Sequence, residues 1–154
     1  MKLFTGMLAA LAVFALSLTG VTQADAGERY GKQKVVYHIN YPGGKEDKKY
    51  RGALRNIQNH INAVGAENMD IKIVMHGNGV GLLQSIKKGN ELLKGQLVSL
   101  KAQNVKVNVC NNTLVGRKID MEKDLFEVFP EDIVPSGVAE LSHLQQQGYT
   151  YIKP

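Results

Sequence analysis

Cysteine is almost absent from this chain, which has a single one, Cys110, among 154 residues. A lone thiol cannot form an internal disulfide, so the class of small exported domains held together by disulfides is excluded. The thiol must instead be free, be paired with another chain, or carry a chemical group.

Several other catalytic and binding patterns are also missing. The sequence has no internal repeat, no low-complexity tract, no Walker loop, no Ser-His-Asp pattern and no evident pair of carboxylates. The net charge is only +5, and the basic residues do not form a stripe with interleaved aromatic residues. Nucleic-acid binding is therefore not expected, and no cofactor is predicted.

The amino-terminal region has the pattern of a secretory leader. A short positively charged start precedes an apolar run from Leu8 to Leu18, and small residues suited to cleavage lie within 22–26. The run is shorter than the about 20 residues that cross a bilayer, but it suits a signal peptide. We therefore predict a cleaved signal peptide over 1–26, a linker over 27–33 and a periplasmic protein without membrane contact after cleavage. An uncleaved membrane anchor is the alternative.

Strand-like and helix-like segments alternate over 34–154. The apolar positions from Tyr50 to Val64 recur at helical spacing, whereas "KVVYHIN" and "VKVNVC" are typical of strands. The predicted strands are 34–40, 70–77, 105–110, 132–137 and 149–154, and the predicted helices are 45–64, 79–88, 90–104, 119–129 and 137–148. This alternation predicts one α/β domain with a mostly parallel five-stranded sheet and helices on both faces.

Three reactive side chains fall at or near the ends of predicted strands, namely those of His38, His76 and Cys110. Because parallel sheets form their sites at the carboxyl ends of their strands, we expect these residues to share one edge. An unperturbed imidazole titrates near pH 6.5, so His76 is a candidate base for the thiol, with a structural hydrogen-bonding role as the alternative. The residue types would suit zinc, but their spacing is not that of a metal site, and no metal is predicted.

Side-chain alternation along the third strand separates Cys110 from the valines of "VKVNVC", because successive side chains point to opposite faces. A reactive thiol needs partial exposure together with nearby cations or helix N-termini. Arg117 and Lys118, in the loop expected after this strand, are candidates to support a thiolate. A small buried thiol with a packing role is the alternative.

The stretch "HGNGVG" at 76–81 places glycines between a predicted strand and a predicted helix. Backbone N–H groups in such a turn can bind an anion. The spacing differs from the dinucleotide fingerprint, and a tight strand-to-helix turn is the alternative. The candidate anion- or ligand-binding residues are Gly77, Asn78, Gly79 and Asn112.

The segment "VNVCNNTLVGRKID", after "ELLKGQLVSLKAQN", resembles the cysteine-bearing strand and loop of the DsrE-like (DsrE/DsrF-like) sulfur-trafficking proteins. The segment "DIVPSGVAELSHLQQQGYTYIKP" resembles the closing segment of an exported branch of that family. The resemblance covers essentially the whole mature chain. It implies a flavodoxin-like α/β sandwich, a homotrimer or homohexamer, and a cysteine that accepts sulfane sulfur as a persulfide. That cysteine matches Cys110.

The resemblance implies a sulfurtransferase-like sulfur carrier, and the expected leader places it in the periplasm. Its partners would be sulfur donors and acceptors, either proteins or small sulfur compounds. The best-understood carriers of the family work in the cytoplasm, whereas the periplasm is oxidising, so the partners or the role would differ here. The alternative is a non-catalytic module that binds a small ligand or a partner and uses Cys110 structurally.

Overall fold

The structure, a computed structural model, describes residues 29–154. The signal peptide expected over 1–26 lies outside these residues. The first strand begins at Gln33, the last residue of the expected linker. Within 29–154, no helix is both long enough and apolar enough to cross a membrane.

Five parallel strands form one sheet in the order β4-β3-β2-β1-β5. The strands are β1 (Gln33–Ile39), β2 (Met69–Met75), β3 (Lys106–Cys110), β4 (Ile133–Val134) and β5 (Thr150–Ile152). The central strands β1 and β2 end in runs of buried residues, as expected for parallel strands that are covered on both faces. The predicted five-stranded α/β architecture is confirmed.

The helices are α1 (Lys48–Val64), α2 (Gly81–Lys87), α3 (Glu91–Lys101), α4 (Asn111–Arg117), α5 (Met121–Asp124) and α6 (Gly137–Gln146). Short 3₁₀ turns occupy Lys45–Asp47, Ala66–Asn68, Gly77–Val80 and Pro130–Asp132. Every apolar residue of the stripe expected on α1 is buried, and the helix ends at Gly65, whose φ of 92° suits glycine.

The sheet has apolar packing on both faces, but the two clusters differ in size. The larger cluster joins Val35, Tyr37 and Ile39 of β1 to buried residues of α1, α2 and α3. The smaller cluster contains Val36, Val74, Leu141, Leu144 and Tyr149, and α6 supplies its helical members. Below, the side of the sheet that carries the smaller cluster is called the α6 face.

Three segments differ from the sequence-based predictions. The loop expected after Cys110 is the helix α4, which docks through the buried Leu114. The helix expected over 119–129 shrinks to α5, because Leu125 leaves the helix in an extended conformation and is buried in the core. The fourth strand is shorter than 132–137, because Ser136 already caps α6.

Candidate functional site

The carboxyl ends of β1, β2 and β3 bring His38, His76 and Cys110 to the α6 face. Met75 pairs with Val109 in the parallel register, so His76 and Cys110, the next residues along, lie level with each other. Met75 and Val109 belong to the larger cluster, and alternation therefore turns His76 and Cys110 towards α6. The placement of the three residues at one edge agrees with the expectation from the sequence.

Gly137, the first residue of α6, lies against both His76 and Cys110. A Cβ atom on Gly137 would be 3.0 Å from Cβ of His76 and 3.2 Å from Cβ of Cys110. These distances are shorter than ordinary van der Waals contacts, so a residue without a side chain allows α6 to begin this close to the strand ends. The first N–H groups of a helix have no partner within the helix, and that of Gly137 is thus brought to the thiol.

Cys110 has only 5% of its surface exposed, so the expectation of a partly exposed thiol is wrong. Burial raises the pKa of the thiol, but hydrogen bonds from the N–H of Gly137, the hydroxyl and N–H of Thr113 and the N–H of Asn112 outweigh it. The pKa of Cys110 is therefore lowered from its ordinary value. The physical cause is that these donors stabilise the thiolate and not the neutral thiol.

Thr113 is a site residue that sequence reasoning missed. Its Oγ1 accepts a hydrogen bond from the N–H of Gly77 at 2.9 Å, which leaves the hydroxyl proton for the sulfur of Cys110. Thr113 reaches the thiol because Cys110 is the N-cap residue of α4 and Thr113 is the third residue of that helix. A helix predicted to begin directly after Cys110 would have pointed to Thr113, but a loop was expected there.

The residues expected to support the thiolate lie elsewhere. Arg117 donates from Nη2 to Oδ1 of Asn78 at 3.0 Å, and Lys118 lines a surface depression of about 380 Å³ with Lys87 and other basic residues. A helix rises about 1.5 Å per residue, and α4 therefore carries Arg117 and Lys118 away from its start at Cys110. Neither these two residues nor His76 is among the groups that lower the pKa of the thiol.

The glycine-rich turn forms a tight structural connection. The N–H of Gly77 is bonded to Thr113, and the N–H of Gly79 is bonded to the carbonyl of His76. A side chain on Gly79 would collide with the carbonyl of Ile39. The anion cradle expected from Gly77 and Gly79 is therefore contradicted, because these N–H groups already have protein partners.

His76 is hydrogen-bonded to His38, in a chain that ends at a residue not expected from the sequence. Nε2 of His38 lies 2.7 Å from Nε2 of His76, and Nδ1 of His38 lies 2.7 Å from the hydroxyl of Tyr151. Burial, together with His76 and Lys153, lowers the pKa of His38 to about 4, and burial with Lys153 lowers that of His76. Both imidazoles are therefore neutral at pH 7.

Among the residues that the structure describes, no group of three or more His, Cys, Asp and Glu side chains could hold a metal ion. The ligand-type side chains at this edge have protein partners instead. Nε2 of His38 bonds Nε2 of His76, and N–H and O–H donors bond the sulfur of Cys110.

The DsrE/DsrF-like family matches residues 34–154. The chain belongs to this family. The match covers the whole sheet except Gln33, the first residue of β1. It includes Cys110, Thr113 and the complete His38–His76–Tyr151 chain. Membership suggests a role in sulfur relay in general terms.

Solved structures share the fold of this DsrE-like protein. A protein of unknown function from Methanobacterium thermoautotrophicum is 29% identical and superimposes with a TM-score of 0.64 over 80% of this chain and 100% of its own. The ychN protein from E. coli is 22% identical, with a TM-score of 0.57 over 79% of this chain and 97% of its own. No curated protein sequence matches the chain.

Two chemical capacities therefore meet at one edge of this DsrE-like protein. Donors from α4 and α6 favour a thiolate at Cys110, which is the nucleophilic form of cysteine. Beside it, His76 also contacts the position of Gly137 and is bonded to His38, and these two neutral imidazoles can accept or pass on a proton.

Proposed function

We propose that this DsrE-like protein is a sulfurtransferase-like carrier that accepts sulfane sulfur on Cys110 as a persulfide and passes it to a partner. The observation that supports this proposal is the position of the only cysteine. It caps α4, it faces the start of α6, and donors from both helices lower its pKa.

The transfer needs no cofactor. The thiolate of Cys110 attacks a sulfane sulfur of the donor, a new S–S bond forms at Cys110, and the donor's S–S bond breaks with its electron pair leaving on a thiolate. An acceptor thiolate then attacks the outer sulfur, and Cys110 leaves as a thiolate. The donors from Gly137, Thr113 and Asn112 stabilise Cys110 both as nucleophile and as leaving group.

Two exposed apolar residues lie on the helices that start at this site and suit contact with a partner. Val115 on α4 is 69% exposed, and Val138 on α6 is 65% exposed. Val115 lies on the helix that begins after Cys110, and Val138 follows Gly137, the first residue of α6. A donor or acceptor that rests on these side chains would lie against the two helices whose starts meet at Cys110.

The test is the intact mass of the purified protein after exposure to polysulfide, with and without reductant. We expect a gain of about 32 Da, the mass of one sulfur atom, that a reductant removes. Cys110→Ser is the control and should gain nothing. Wild-type protein that gains no mass under conditions in which a free small thiol does would contradict the proposal.

The burial of Cys110 favours one other function, a module that binds a small ligand or a partner and uses the thiol only for packing. In that case the native thiol would resist both polysulfide and an alkylating reagent and would react only after unfolding. The same mass measurement, repeated in denaturant, separates the two functions.

We also propose that residues 1–26 direct export and are removed, so that the carrier acts in the periplasm. The pattern of a positive start, an apolar run and small residues supports this. N-terminal sequencing of the mature protein should begin near Asp25 or Gly27. Recovery of an intact Met1 from the periplasm would contradict it.

A homotrimer or homohexamer is our proposal for the assembly, since closed symmetry is usual for homo-oligomers. On α3, Leu92 is 58% exposed and Val98 is 41% exposed, and an adjoining groove of about 420 Å³ runs between α1 and α3. This apolar surface would be covered by a second copy. Light scattering that shows only monomer at micromolar concentration would rule the assembly out.

A further inference from the structure

Three polar side chains beside Cys110, those of His38, His76 and Tyr151, form a hydrogen-bonded chain. His38 is 7% exposed, lies between Tyr151 and His76, and is bonded through both ring nitrogens. Burying an imidazole is unfavourable unless its polar atoms have partners, and here both atoms have them. Each ring nitrogen of His38 therefore has a defined partner.

The contact between the two Nε2 atoms can hold only one proton. If His38 donates to His76, Nδ1 of His38 accepts from the hydroxyl of Tyr151. If His76 donates to His38, Nδ1 of His38 donates to that hydroxyl. These two arrangements differ by the shift of one proton along each bond, so His38 and Tyr151 together set whether Nε2 of His76 carries a proton.

The chain lies next to the thiol without being bonded to it. His76 and Cys110 lie level on neighbouring strands and both contact the position of Gly137. Among the described residues, the hydrogen-bond partner of the His76 side chain is His38 and not Cys110. A donor molecule whose sulfur is attacked by Cys110 would place its leaving group on this same edge, between the thiol and His76.

We infer that His76, held in place by His38 and Tyr151, is a proton relay that takes the proton of the Cys110 thiol and delivers it to the thiolate leaving group of the sulfur donor. This inference rests on the proposed sulfur-carrier function. The overall reaction is Cys110–SH + R–S–SH → Cys110–S–SH + R–SH. One S–S bond breaks, one S–S bond forms, and the proton lost by the thiol ends on R–S, so no external oxidant or reductant is needed.

The surroundings suit a group that holds the proton only briefly. Burial and Lys153 lower the pKa of both imidazoles, so the pair is neutral at rest and gives up an added proton readily. His76 would contact the leaving group directly. His38 and Tyr151 would act as positioning residues, because they set which nitrogen of His76 carries the proton.

The test compares reactions of Cys110 whose leaving groups differ in their need for a proton. An alkyl persulfide releases a basic alkyl thiolate, an aryl persulfide releases a weakly basic aryl thiolate, and iodoacetamide releases iodide, which needs no proton. For His76→Gln we expect the alkyl reaction to slow by about tenfold or more, as for loss of a general acid. The aryl reaction should slow less, and alkylation should stay at the wild-type rate.

Tyr151→Phe keeps the ring and removes only the hydroxyl, and Tyr151 is 40% exposed. It tests the contribution of the chain even if replacement of the buried His38 prevents folding. We expect a smaller loss with the alkyl donor, unchanged alkylation, and a shift of the His38 ring signals in ¹⁵N NMR as its tautomer balance changes. Equal slowing of all three reactions, or of none, in folded His76→Gln and Tyr151→Phe would overturn the relay.

Failure of the carrier function is distinguishable from failure of the relay. Exchange of Cys110 with alkyl and aryl disulfides transfers no sulfane sulfur but releases the same two kinds of thiolate. If Cys110 gains no sulfur from any donor while His76→Gln slows only the alkyl disulfide, the carrier function fails and the relay stands. If persulfide forms and neither alkyl reaction depends on His76, the relay fails and the carrier function stands.

Discussion

The two faces of the sheet are built from the same strands and yet carry different parts of the protein. On the larger-cluster face, residues such as Ile39, Ile73 and Val109 pack under α1, α2 and α3 and are fully buried and apolar. On the α6 face, the neighbouring positions at the carboxyl ends are His38, His76 and Cys110, and α6 begins directly above them.

This difference shows how a small α/β domain can separate stability from chemistry. Alternation along each strand assigns successive residues to opposite faces, so one face can be optimised for packing while the other keeps polar groups. Substitutions on the larger-cluster face should therefore alter stability, and substitutions on the α6 face should alter reactivity.

The largest functional effect is expected from Cys110→Ser. Serine is close to cysteine in size, and the donors around the site can bond its hydroxyl, so the fold should be retained. Sulfur acceptance should vanish, because the chain has no other thiol. Intact mass after polysulfide treatment measures the loss, and the urea midpoint shows whether the fold is kept. A marked drop in that midpoint would mean that Cys110 contributes to stability as well as to reactivity.

The largest effect on stability is expected from the opposite face. Ile57 on α1 is fully buried in the larger cluster, and Ile57→Ala should lower the free energy of unfolding by about 2–5 kcal/mol. The native-state alkylation rate of Cys110 should not change. Urea denaturation and timed iodoacetamide labelling measure the two quantities. Altered labelling in the folded protein would show that packing on one face controls the thiol on the other.

Gly137→Ala should disturb both properties, because Gly137 is the point where α6 meets the site. Its Cβ would lie 3.1 Å from Cδ2 of His76 and 3.2 Å from Cβ of Cys110, so α6 must shift. We expect a loss of about 1–3 kcal/mol in unfolding free energy, as for other overpacked positions, together with slower alkylation. Gly52→Ala on α1, where an added Cβ meets open space, is the control and should do neither.

Thr113→Val tests the hydrogen bond that favours the thiolate. Loss of the hydroxyl should raise the pKa of Cys110, and alkylation near pH 7 should slow by about two- to tenfold, as for one lost hydrogen bond. The pH profile of iodoacetamide labelling measures this directly. Thr113→Ser keeps the hydroxyl and should retain the wild-type profile. Coinciding profiles for the valine and serine variants would exclude Thr113 from the site.

The pH dependence of stability should reflect the buried histidine of the α6 face. The pKa of His38 is lowered to about 4 from 6.5, so between these values the unfolded chain binds more protons than the folded protein. The contribution of His38 to the free energy of unfolding should therefore be fully present above about pH 6.5 and decrease as the pH drops towards 4. Urea midpoints at pH 7 and pH 5 measure this fall. In a folded His38→Gln variant the fall in stability between pH 7 and pH 5 should be smaller. An equal fall in the variant and the wild type would mean that His38 does not cause this pH dependence.

Much of the fold follows from local patterns. The stripe from Tyr50 to Val64 specifies a helix with one apolar face, and the alternation around Cys110 correctly separates it from the valines. Local patterns were less reliable where tertiary packing competes with them. The segment after Cys110 has little helical periodicity, but burial of Leu114 and the turn at Lys118 make it a helix.

The sequence by itself determined the order of strands and helices, the parallel sheet and the edge at which His38, His76 and Cys110 meet. These features depend on periodicity and on the rule that parallel strands end on one side. Only the tertiary structure decided which groups act on the thiol. Gly137 is 27 residues from Cys110 and Tyr151, which bonds His38, is 41 residues away, so no local pattern marks them. Thr113 is only 3 residues away but was missed because a loop was expected there. Their role arises because α6, α4 and β5 converge there, and distances between elements are set by packing of the whole core and not by any one segment.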